Sequence, residues 1–234
     1  DKEHLRDIEP LFSDTFRQVW NNKIESDGFN GLVLAAGLNA REANLFRAYA
    51  RYLDLARYPL GRRYTSQVLA KYALITRKLC DAFLFLHDPQ QSRGSADRMA
   101  ETLFVEVEKM LDSVEKLDED KVLRSMMALI RNTLRTNYFH VDAEGHAPEV
   151  LVLKFNAQGL NDLPKPRPFK EIFVFGPRVE AVHLRGGPIA RGGIRWSDRF
   201  EDFRTEILGL VKAQMVKNSV IVPVGAKGGF ICKH

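Results

Sequence analysis

Two short stretches towards the C-terminal end combine cations with glycine, and a third between them pairs an amide with a lysine. Gly186-Gly187-Pro188 and Arg191-Gly192-Gly193-Ile194-Arg195 put two glycine pairs within eight residues, flanked by guanidinium groups. Glycine lets backbone N–H groups approach an anion closely, so the pattern suits an anionic ligand; the same residues also suit a tight turn between a strand and a helix. Gln214 and Lys217 follow, three apart and hence on one helix face, where a lysine near the C-terminal end also complements the helix dipole. Gly225-Ala226-Lys227-Gly228-Gly229 then reads as a glycine-lined loop after an apolar strand. It is neither a P-loop, since the G-x-x-x-x-G-K-[ST] spacing fails, nor the G-x-G-x-x-G dinucleotide fingerprint. It offers instead a lysine with little side-chain cover, the setting of a base or nucleophile.

Other candidates are plainer. His140 and His146 are six apart without a third ligand, so no metal is expected. Trp20 and Trp196 read as packing groups, and Cys232, close behind the lysine stretch, as a small core residue. Cys80 and Cys232 form no C-x-x-C and no disulfide framework, which points to a reducing compartment, the cytoplasm.

The elements that must position these residues change character along the chain. Residues 3–26 carry apolar side chains near helical spacing, interrupted by Pro10. Asn39 with Glu42 three residues later predicts a capping box opening a helix to about Arg57, stopped by Tyr58-Pro59. Thr65 or Ser66 is expected to cap a single helix to His87, followed by helices over 95–117 and from Asp118 as far as Leu134. Near Asp142 the pattern shifts to strands: 150–155, then, beyond a proline-rich connector, 171–175 and 179–184. A helix over 199–217, with Phe203, Ile207, Leu210 and Val211 inward, and a buried strand over 220–224 complete the reading. The fold class expected is α+β: a multi-helix module over 1–145, then the beginning of an α/β substrate-binding domain over 146–234.

Composition sets the outer bounds. The 234 residues are 45% hydrophobic and 28% charged, which excludes a disordered chain, and no apolar run approaches the roughly 20 residues that span a bilayer. The sequence opens on Asp1-Lys2-Glu3-His4 without the apolar stretch of a signal peptide, so none is expected. Of the net charge of +5, the whole excess lies beyond Gly176, where Arg178, Arg185, Arg191, Arg195, Arg199, Arg204, Lys212, Lys217, Lys227 and Lys233 face only Glu180, Asp198, Glu201, Asp202 and Glu206. A segment both basic and glycine-rich suits a small anion. The interleaved acids and the missing aromatic-basic pattern argue against nucleic acid.

The order of the motifs is more specific than any one of them. Arg191-Gly-Gly-Ile-Arg195, Gln214-x-x-Lys217-Asn218-Ser219 and Pro223-Val-Gly-Ala-Lys227-Gly-Gly together resemble the substrate-binding domain of the glutamate/leucine/phenylalanine/valine dehydrogenase superfamily. The surroundings, from Gly187-Pro188 through Trp196-Ser-Asp-Arg199 and Glu201-Asp-Phe-Arg-Thr-Glu206 to Asn218, are closer to the large bacterial NAD-specific glutamate dehydrogenases. So are the helical stretches 31–37, 46–53 and 129–138.

That resemblance implies oxidative deamination of L-glutamate to 2-oxoglutarate and ammonia, with hydride passing to NAD, in a homo-oligomeric parent enzyme. By motif, Lys227 is the catalytic lysine, activating the water that attacks the iminium carbon. Gln214 and Lys217 bind the α-carboxylate, and Arg191, with Gly192 beside it, takes the distal carboxylate. The compact enzymes carry a lysine at the place of Arg191; arginine keeps the cation and adds a bidentate grip. The second catalytic residue of the family, an aspartate, and the cofactor domain are expected downstream of His234. The chain then reads as an internal fragment, inactive alone and holding no NAD site. The alternative reading is a non-catalytic helical interaction or regulatory module to which 176–234 is only a stub.

Overall fold

The computed structural model describes residues 2–217 and 224–233, with side chains for 8–214 and 224–233. Two compact units make up the chain: residues 1–51 with 60–131, and residues 52–59 with 132–234.

The first unit is helical: α1 (Lys2–Trp20), α2 (Gly31–Ala36), most of α3 (Ala40–Leu55), α4 (Arg62–Lys71), α5 (Ala73–His87), α6 (Arg93–Leu111) and α7 (Leu117–Arg131). α1 runs on through Pro10 rather than breaking there. Gly37, at φ 62°, ends α2 in the left-handed conformation that glycine adopts without strain. The capping box forms as expected: Glu42 N–H donates to Asn39 Oδ1 at 2.9 Å, and Asn39 N–H to Glu42 Oε2 at 3.0 Å. Arg47 is fully buried yet saturated, bound to Asp27 at 2.8 Å and to Asn30, Asn44 and the Glu25 carbonyl.

The single helix expected from Thr65 to His87 is two. Tyr72 leaves helical geometry at φ −101°, ψ 53°; its hydroxyl and the Lys71 ammonium both reach Glu119 of α7, at 2.7 and 2.6 Å. Thr76 Oγ1 donates to the Leu69 carbonyl freed by the break, at 2.7 Å. Thr65 and Ser66 lie inside α4 and are buried; Ser66 bonds back to the Arg63 carbonyl instead of capping.

The second unit is built on one mixed sheet. Its strands are β1 (Thr133–Thr136), β2 (Leu151–Phe155), β3 (Lys170–Phe175), β4 (Val179–Arg185), β5 (Ile194–Trp196) and β6 (Ala226–Cys232), in the order β1-β2-β3-β4-β6-β5. All neighbours are antiparallel except β5 and β6. Helical module followed by sheet is the α+β class the sequence implied. β1 was missed: Leu134, expected on a helix, belongs to it.

Alternation places Leu151, Leu153, Phe155, Phe173, Phe175, Val182 and Leu184 on one buried face of the sheet. α8 (Phe203–Lys217) covers it with Phe203, Ile207, Leu208 and Val211, while Leu210 is only half-buried. Glu171 takes a place on the same face and is fully buried. Arg204 of α8, also fully buried, donates Nε and Nη2 to its two carboxylate oxygens at 2.7 and 2.8 Å. Tyr52 stacks beside this pair against Phe155, with ring centroids 4.5 Å apart. Burial and the Glu171 charge hold its phenol well above the ordinary tyrosine range.

Candidate active site

Lys227 is not in a loop. Gly225 bridges to Arg191, and Ala226-Lys227-Gly228-Gly229 run straight into β6, hydrogen-bonded between β4 and β5. The glycines serve the packing of a helix rather than a turn. A Cβ on Gly225 would lie 2.2 Å from Gln214 Oε1, and one on Gly229 would lie 2.5 Å from Ile207 Cδ1. α8 therefore rests almost on the strand backbone at these two positions, which such close approach reserves for glycine. Lys227 stands between them on the same alternating face, half-buried and opposite Leu184. Its ammonium is thus delivered to the side of the sheet along which Ile207 and Gln214 lie.

The Arg191-Gly192 segment reaches this strand from the other direction. Ala226 N–H donates to the Arg191 carbonyl at 3.1 Å, and Gly228 N–H to the Gly193 carbonyl at 3.0 Å. Gly192 has no room for a side chain: a Cβ would fall 1.4 Å from the Ala226 carbonyl oxygen. The Arg191 side chain itself stays exposed. Gln214 Nε2 donates to the same Arg191 carbonyl at 3.4 Å, and its buried Oε1 has no hydrogen-bond partner among the described residues. Lys217 closes α8; its side chain, residues 218–219 and, of the strand expected over 220–224, all but Val224 lie outside the described residues, and Val224 itself is not in a strand. Four of the five site residues named from sequence, Arg191, Gly192, Gln214 and Lys227, are therefore drawn around Gly225-Ala226 from three separate segments.

Two ion pairs that sequence reasoning passed over hold α8 to the sheet. Arg204–Glu171 is the first. In the second, Glu206 in the first turn of α8 accepts from Ser197 Oγ at 2.6 Å and pairs with Arg195 of the Arg-Gly-Gly-Ile-Arg motif at 3.3 Å. A signal existed for the first pair: Glu171 alternates with Phe173 and Phe175, so a carboxylate falls on the core face and needs a cation there. On the other face of β4, His183 is half-buried and its pKa is pushed down by burial and then by Arg185. Elsewhere, Asp142, Glu144 and His146 bring their ligand atoms within 4.8 Å of one another on an exposed loop. Asp142 Oδ1 already accepts the amides of His146 and Glu144, at 2.7 and 3.1 Å, and those bonds to the charged form, that from His146 foremost, hold its carboxyl below the usual range. His140 is not part of that cluster.

Similarity to known proteins covers nearly the whole chain. Residues 106–234 match the family described as bacterial NAD-glutamate dehydrogenase, catalytic domain. The chain belongs to that family. Residues 24–89 match a second description, glutamate dehydrogenase, helical motif 3, so both units carry the likeness. An NAD-specific glutamate dehydrogenase of Mycobacterium tuberculosis is 50% identical over 225 residues, 95% of the chain. Those of Halomonas elongata and Pseudomonas aeruginosa are 46% and 45% identical over 99% and 97% of it. In each case the chain spans 14% of the relative's length.

Proposed function

We propose that the whole protein is an NAD-dependent glutamate dehydrogenase, converting L-glutamate and water to 2-oxoglutarate and ammonia while hydride passes to NAD, and that this chain supplies its glutamate-binding face. The observation that carries the reading is the meeting of Arg191, Gln214 and the Lys227 strand at Gly225-Ala226. Three separate segments meet there and carry two cations, Arg191 and Lys227, and the Gln214 amide, an inventory that suits a dicarboxylic amino acid.

Each residue then has a definite task. Arg191, exposed at the rim, holds the distal carboxylate through its guanidinium fork. Gln214 and Lys217, one turn apart on α8, are by motif the residues for the α-carboxylate. Lys227, on a strand rigidly hydrogen-bonded on both sides, is the group that takes the proton from the attacking water. Gly192 lets the backbone carrying Arg191 lie directly on Ala226. NAD, when bound, accepts the hydride. The residues of this chain do not fit a nucleotide site of the known glycine-rich kind, since the sequence holds no G-x-G-x-x-G, and none is assigned to it. The 234 residues alone are accordingly expected not to reduce NAD. The two unpaired cysteines, Cys80 buried and Cys232 exposed, support a cytoplasmic location, and the family resemblance supports a homo-oligomer.

The test is substrate preference in the full-length enzyme. Arg191→Leu should lower kcat/KM for glutamate by about 100-fold or more, the loss of a bidentate charge-assisted pair, while norvaline suffers far less. Equal losses for both substrates would remove Arg191, and this reading, from the site.

A further inference from the structure

The segment that delivers Arg191 has its own anchor. Between the end of β4 and Arg191 the chain leaves the sheet through Gly186-Gly187-Pro188-Ile189-Ala190 and returns to bridge Gly225. Ile189 at the crest is 71% exposed, so no apolar packing holds the excursion at its outer end. Its inner end is fixed by polar contacts. Gly186 N–H donates to the Gly225 carbonyl at 3.1 Å, and Arg185 Nε donates to the Gly187 carbonyl at 2.9 Å. Arg185 Nη2 donates to the carbonyl of Pro188. One guanidinium thus bonds two consecutive carbonyls, a fork that a lysine, with a single charged nitrogen, does not reproduce.

Arg185 is itself rigidly placed. Its backbone stands opposite Lys170 on β3 and Ala226 on β6, and its carbonyl accepts the amide of Phe169 at 2.7 Å. It therefore ties the excursion to the strand that carries Lys227, one residue from that lysine in register.

We infer that Arg185 is a positioning residue: by gripping the Gly187 and Pro188 carbonyls it fixes where Arg191 is presented, and so sets the preference for a dicarboxylic over an apolar amino acid. This rests on the reading of Arg191 given above. Arg185 touches no substrate in this scheme and acts only through the backbone it holds. Displacement of a binding group by about 1 Å is enough to cost up to about 100-fold, so a freed excursion should register in selectivity before it registers in fold.

The experiment compares kcat and KM for glutamate and norvaline in the full-length enzyme and in its Arg185→Met, Arg185→Lys and Arg191→Leu variants. Arg185→Met should raise KM for glutamate at least about tenfold with kcat within about threefold, and should lower the glutamate-to-norvaline ratio by a similar factor. Arg185→Lys, which retains the charge and folds more safely, should recover only part of that ratio, because the second carbonyl is left without its donor. A ratio unchanged in both Arg185 variants but collapsed in Arg191→Leu overturns this inference and leaves the Arg191 reading standing. Equal losses for both substrates on changing Arg185 overturn it as well, since they mark a general structural role. A ratio unmoved by Arg191→Leu removes the Arg191 reading, and this inference with it.

Discussion

Replacing Arg204 by methionine would leave Glu171, with none of its surface exposed, without the two N–H donors now at 2.7 and 2.8 Å. Breaking a buried pair in this way costs about 3–5 kcal/mol, because the surviving charge keeps its desolvation penalty and loses its partner. Glu171→Leu should cost a similar amount for the mirror reason. Arg204 is buried but its guanidinium, with Glu171 beside it, is pushed further up from an already high pKa and does not relieve itself by losing a proton. The double variant Glu171→Leu with Arg204→Met removes both charges and fills the space with apolar atoms next to Phe155, Phe173 and Tyr52. Its cost should fall to about 2 kcal/mol or less, since apolar replacements of buried ion pairs are often close to neutral. The assay is urea unfolding of the 234-residue protein in a Trp20→Phe background, which leaves Trp196 on β5 as the only tryptophan and a reporter of the second unit. Additive costs in the double variant, or single-variant costs below about 1 kcal/mol, would refute the claim that the pair is a mutually compensated buried charge.

Two further outcomes follow from the same geometry. Gly192→Ala in the full-length enzyme should cut glutamate turnover by about 100-fold or more, because a Cβ 1.4 Å from the Ala226 oxygen must push Arg191 off β6; activity above about a tenth of wild type would show that the backbone yields there. His87, with its Nε2 unpartnered and its pKa pushed down by burial to about 4, is held neutral in the folded protein and charges more readily in the unfolded chain. Its contribution is complete above about pH 6.5 and is lost as pH falls towards about 4, so stability should drop by about 2 kcal/mol between about pH 7.5 and pH 5 on its account. His87→Phe should flatten that slope in urea unfolding followed by helical circular dichroism, and an unchanged slope would exclude His87 as its source.

What could be read from sequence was whatever is decided locally. The Asn39–Glu42 box involves atoms three residues apart, and β2, β3 and β4 announce themselves through β-branched runs between glycine and proline turns. The break at Tyr72 was hidden from local pattern, and the residue that its hydroxyl bonds there, Glu119, lies 47 residues further on. β6 was hidden for a related reason. Gly225, Gly228 and Gly229 look like loop residues until α8 and β5 are laid against them, and only then does the absence of side chains read as closeness of packing. The residues of the candidate site stood out in the sequence as an ordered set of motifs. That Arg191 meets Gly225, and that Arg185 and Arg204 hold the supporting backbone, depends on pairings that no local pattern encodes.

The strand order has a consequence for how the molecule comes into being. β6 is made after β5 yet lies between β4 and β5, and among the described residues β5 has no other neighbour in the sheet. During synthesis at about 5–20 residues per second, β5 and the outer edge of β4 wait seconds for the strand that joins them. For that interval Val179–Arg185 presents a row of unpaired backbone groups, the kind of edge that recruits strands from other chains. Arg191 and Lys227 come together only in the step that closes this edge. The nascent chain thus carries an open edge at the place, and at the moment, where the candidate site is about to be assembled.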